Sequence, residues 1–188
     1  MVKERLVWLT DNIDQIASRI GRSIIEWNLF DRGIRPDKRQ PIIIMMNGTG
    51  SSIESAMTLV DIVIASKTPV YTVNLGKVEG SAVPIYLAGE RRASLENAMF
   101  ILNEGESNLS GNYLQLTQEL LHYQLLVETM KRFICRRLDL SLDLQSQVLN
   151  GMAGKNLYIH NTPTAPGELS AINLGLVNAR FNDLLSFD

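Results

Sequence analysis

Pro41–Gly89 reads PIIIMMNGTGSSIESAMTLVDIVIASKTPVYTVNLGKVEGSAVPIYLAG, and the order of elements in this stretch decides the fold. Ile42–Met46 is an unbroken apolar run, the pattern of a strand covered on both faces in a parallel α/β sheet. The turn NGTGSS follows, after which Ile53, Ala56, Met57, Val60 and Ile64 recur at helical spacing. PVYTVNL reads as the next strand, and a second glycine-rich turn ending at Gly80 leads into another helix. Strand, turn, helix, strand, turn, helix is the crossover arrangement of a mostly parallel sheet.

The same alternation extends outward. Arg5–Leu9 predicts a short strand, and Ile13, Ile16, Ala17, Ile20, Ile24 and Ile25 predict the buried face of a helix whose other face carries Arg19, Arg22 and Glu26. The polar segment NLFDRGIRPDKRQ, with both Gly and Pro, predicts a surface loop. Ala98–Leu102 predicts a further strand. From Leu114 to Leu138 a long helical pattern carries apolar residues on more than one face, with Lys131, Arg132, Arg136 and Arg137 near the end where cations favour the helix dipole. Such a helix needs more cover than one small sheet offers, which points to an interface between subunits. Burial within its own domain is the alternative. Leu142–Val148 then predicts a short helix, Leu157–Ile159 a short strand, and GELSAINLGLV a helix stopped at Gly175.

Composition narrows the function classes. A chain of 188 residues fits one domain with a substantial core. Its 18 basic and 20 acidic residues give a net charge of -2, no field to hold a nucleic acid or an anionic membrane. The lone cysteine, Cys135, excludes an internal disulfide and reads as a core thiol, and no residue spacing suggests a metal site or a cofactor. The first residues lack an apolar signal core, and no run of about 20 apolar residues follows. A soluble protein of the reducing cytoplasm is expected.

Four segments together resemble the Clp protease proteolytic-subunit family. KERLVWLTDNID looks like its first strand and turn, and NGTGSS stands where the family has an NSPGG-type turn. LGKVEGSAVPIYLAG is similar to its serine-bearing turn and helix, and GELSAINLGLVN to its closing helix and strand. The resemblance spans nearly the whole chain. It implies a single domain over residues 1–188 with the ClpP/crotonase-like fold, a spiral of ββα units with a long interface helix. It also implies assembly as a tetradecamer, two heptameric rings around a chamber, interlocked by that helix. The partners it implies are copies of this chain, or an active Clp-type subunit in a mixed ring, with an AAA+ unfoldase outside.

The resemblance puts the catalytic positions on residues that lack the chemistry. The nucleophile falls on Gly80, the general-base histidine on Asn103, and the orienting aspartate on Asn156 or its neighbour. Glycine has no side chain to attack a carbonyl, and a neutral amide neither takes a proton nor stabilises an imidazolium. Neither histidine of the chain, His122 or His160, falls at the base position. The oxyanion donors would be backbone N–H groups of Ser51 and Ser81, beside Gly50, and backbone donors survive side-chain change. A recognition groove for peptides without cleavage is the expectation, although glycines 48, 50 and 80 also suit plain turns.

Two other readings stand beside it. Ser81 is one residue from the nucleophile position, and with Lys77 or Lys155 as base it would make a serine–lysine peptidase, although a one-residue step turns a helical side chain by about 100°. The third reading is a crotonase-like acyl-binding protein, whose thioester the same backbone donors would hold. The family also carries about a score of residues before its first strand, an axial gate touching the unfoldase. This sequence starts almost at that strand, and the NLFDRGIRPDKRQ loop is longer than its counterpart, two departures from the family at the surface where an unfoldase docks.

Overall fold

The computed structural model describes residues 5–10, 13–50, 52–105, 110–162 and 168–185. Strand β1 (Leu6–Thr10) leads into helix α1 (Ile13–Phe30), followed by β2 (Ile42–Thr49), α2 (Ile53–Ala65), β3 (Val70–Glu79) and α3 (Ala82–Ala88). Then come β4 (Arg91–Ser94), β5 (Met99–Leu102), the long α4 (Tyr113–Leu138), α5 (Leu142–Met152), β6 (Leu157–His160) and a short α6 (Phe181–Leu185). The strands form one sheet in the order β1-β2-β3-β5-β6, with β4 also on β3. All pairings are parallel except β5 with β6.

β3 serves two neighbours in turn. Tyr71–Asn74 pair with β4 and Lys77–Glu79 with β5. The change falls at Leu75–Gly76, where Asn74 Oδ1 accepts from Gly76 N–H and Asn47 Oδ1 from Lys77 N–H. β2 shifts register at the same level, between Met46 and Gly48. The sheet therefore splits just before its strands end, and Thr49, Glu79 and Leu102 finish side by side.

Ile42–Met46 is buried throughout, as the apolar run predicts. One face of the sheet carries the main core, with Leu59 and Val60 of α2, Ile85 and Leu87 of α3, and Met130 and Ile134 of α4. The other face carries a smaller cluster of Ile43, Met45, Val73 and Ala93, against which Tyr71 and Phe181 pack.

The structure departs from the sequence expectations in places. Ile25 and Ile64 are half exposed, because Ile24 and Val63 already fill the inward direction and the next residue is turned by about 100°. NLFDRGIRPDKRQ is not wholly a surface loop: α1 runs through Phe30, and Asp31 is fully buried against Arg5, with Thr68 as a further donor. β4 has no counterpart among the strands expected from the sequence. Arg92 is in fact buried and donates to the carbonyls of Gly89, Gly175 and Leu176.

GELSAINLGLV is also not a helix over its described residues. It makes one turn, Leu174 N–H to Ser170 C=O, while Ala171 N–H bonds to His160 and the carbonyls of Gly175 and Leu176 bond to Arg92. Those tertiary bonds take the groups that a helix would use. Gly175 still has the left-handed φ of +70° expected of it.

The long helix divides in two. Val127, Met130, Phe133, Ile134, Cys135 and Leu138 are buried, whereas Tyr113, Leu114, Leu120, Leu121 and Leu125 are exposed. Of its cations, Arg137 donates to the carbonyls of Leu87, Ala88 and Gly89 at the end of α3, and Lys131 pairs with Glu104 at 2.5 Å. These two tie α4 to the body of the molecule.

Candidate functional site

The site lies where β2, β3 and β5 end, the edge at which an open parallel sheet leaves a crevice. A cavity of about 640 Å³ there is lined by residues including Gly50, Glu54, Glu79, Gly80, Ser81, Asn103 and Asn156. Gly50 follows β2, Gly80 follows β3 and Asn103 follows β5. Asn156 immediately precedes β6, and because β6 runs antiparallel to β5 its start meets the end of β5. Topology alone thus gathers residues from four distant segments.

Gly80, Asn103 and Asn156 form one row. Gly80 sits at φ +57°, and a Cβ built on it would be 2.9 Å from Asn103 Oδ1. Asn103 Nδ2 donates to Asn156 Oδ1 at 2.9 Å and to Glu79 Oε1 at 3.4 Å, and its Oδ1 accepts from Gly105 N–H at 3.1 Å. Both ends of the Asn103 amide are therefore fixed, and its carbonyl end faces the position that a side chain on residue 80 would take.

Ser81 is buried in the wall of the cavity, and its Oγ has no hydrogen-bond partner among the described residues. It faces the preceding turn: a Cβ on Gly50 would clash with Ser81 Oγ and Ser81 N, and would be 2.6 Å from Ala82 N. Only glycine fits at position 50, since the obstruction includes backbone of the opposite turn. The N–H of Gly80 is taken by Ile101 C=O at 2.9 Å.

The lysines considered as partners for Ser81 lie elsewhere. Lys77 pairs with Glu79 at 2.8 Å with its side chain 41% exposed, and Lys155 is exposed; neither lines the cavity. His122 pairs with Glu54 at 2.9 Å on the exposed side of α4, and His160 is exposed on β6. Ser51 lies outside the described residues.

Several carboxylates at the site escaped the sequence reading. Asp14 accepts from Ser52 N–H, and it lines the cavity with Glu54 and Glu79. Glu104, next to the lining residue Gly105, is held below the usual carboxylate range, chiefly by its hydrogen bond from Lys131, whose own pKa is raised by the same bond. Only Glu79 offered a local signal, being adjacent to the glycine turn. Cys135 is buried in the core, where desolvation pushes its thiol up. Among the described residues no His/Cys/Asp/Glu group could hold a metal ion, and no helix is long and apolar enough to cross a membrane.

Residues 1–143 match the profile of the Clp protease family. The chain belongs to that family. Over 129 residues it is 30% identical to an ATP-dependent Clp protease proteolytic subunit-like protein of Synechocystis sp., covering 59% of this chain and 56% of that protein. Over 99 residues it is 30% identical to ATP-dependent Clp protease proteolytic subunit 2 of Treponema denticola, covering 52% of this chain and 48% of the relative. The matched segments thus span about half the length of these curated relatives. Among solved structures, a ClpP1 variant from Listeria monocytogenes superposes with a TM-score of 0.75 over 96% of this chain and 94% of that one, at 20% identity. The α/β fold with its long helix is therefore that of the Clp proteolytic subunits, as the four sequence segments implied.

Proposed function

We propose that this chain is a non-catalytic, ClpP-like subunit, a single domain that keeps the shape of a serine-protease site without its reaction. The observation that carries this reading is the Gly80–Asn103–Asn156 row, in which the hydrogen bond between the two amides runs where a base and its orienting acid would pair. Residue 80 supplies no oxygen for attack. Asn103 has no basic lone pair, and its amide is already held by Asn156, Glu79 and Gly105. With no nucleophile and no proton acceptor, no acyl-enzyme can form at this row.

The alternative nucleophile finds little support. The Ser81 hydroxyl is buried against Gly50, with neither lysine lining the same cavity. A cavity that retains free volume beside β-strand ends suits an extended peptide, held rather than cut. In this reading Gly50 and Ser81 belong to the peptide-binding wall.

Assembly follows from the exposed half of α4. Leu114, Leu121 and Leu125 are each more than half exposed, a stripe that a second subunit would cover. The proposed assembly is a chamber of heptameric rings, built from copies of this chain or mixed with an active Clp-type subunit, with an AAA+ unfoldase as the outer partner. The test is hydrolysis of a fluorogenic peptide by the assembled protein, with native mass recorded on the same sample. A large oligomer without turnover is expected, and turnover by that oligomer would overturn the reading.

A further inference from the structure

We draw no further inference here: the strongest candidate, the apolar groove between α1 and α2 lined by Ile25, Leu29 and Ile62 together with Arg32 and Lys67, is an unpartnered face, and nothing in the structure shows what covers it.

Discussion

Asp31 is completely buried and accepts two hydrogen bonds from Arg5, at 2.5 and 2.8 Å, and one from the Thr68 hydroxyl at 3.0 Å. Asp31→Ala would leave the Arg5 guanidinium, only 8% exposed as a residue, between Trp27 and Phe30 with no carboxylate. Breaking a buried pair from one side costs about 3–5 kcal/mol, because the remaining charge stays desolvated. For a chain of this size that corresponds to a Tm lower by about 6–20 °C. The pair fastens the end of α1 to β1, and the start of α1 brings Asp14 to the cavity, so the site should loosen with it.

Removing both charges separates the causes. In Arg5→Met/Asp31→Leu neither partner is left buried and alone, and most of the lost stability should return. The pH dependence has a defined sign. The hydrogen bond from Arg5, assisted by that from Thr68, holds the Asp31 carboxyl below its ordinary value despite desolvation. Its contribution is therefore fully present above about pH 4 and is lost as pH falls through the folded value. Thermal melts of wild type and Asp31→Asn should converge on acidification. A Tm change below about 2 °C in Asp31→Ala, or a double variant as unstable as the single one, would refute the reasoning.

Three further outcomes are expected. Gly80→Ser forces a side chain onto a φ of +57° and toward Asn103, so it should cost about 1–2 kcal/mol in a denaturant titration and give no peptidase activity. Gly50→Ala must displace the opposing turn at Ser81 and should destabilise by about 1–3 kcal/mol, seen as a lower denaturation midpoint. Leu121→Asp/Leu125→Asp places charges on the exposed half of α4 and should reduce the native mass on size-exclusion chromatography without lowering the Tm of the separated subunit.

The parts of this fold legible in the sequence are those with a strong local pattern. Ile42–Met46 announces a doubly covered strand, and the long apolar repeat of α4 fixes that helix to within a residue of its start. What the sequence hides is pairing across distance. Arg5 and Asp31 are 26 residues apart, and nothing in either neighbourhood marks them as partners. Arg92 likewise reads as a surface cation until the carbonyls of Gly175 and Leu176 are seen to surround it.

The site divides along the same line. Gly80, Asn103 and Asn156 are singled out by the resemblance to the Clp proteolytic subunits and by no local pattern of their own. The acidic lining could not be singled out, because Asp14, Glu54 and Glu79 lie on three separate elements that meet only through the parallel sheet and its crossovers.

The central claim is that no serine in this site is a nucleophile. It is tested most directly by treating the assembled protein with an excess of fluorophosphonate and recording the intact mass, beside a Ser81→Ala variant. The account predicts that the 21.0 kDa chain keeps its unmodified mass in both samples. A phosphonyl adduct on the wild-type chain that is absent from Ser81→Ala would contradict it and make Ser81 the nucleophile.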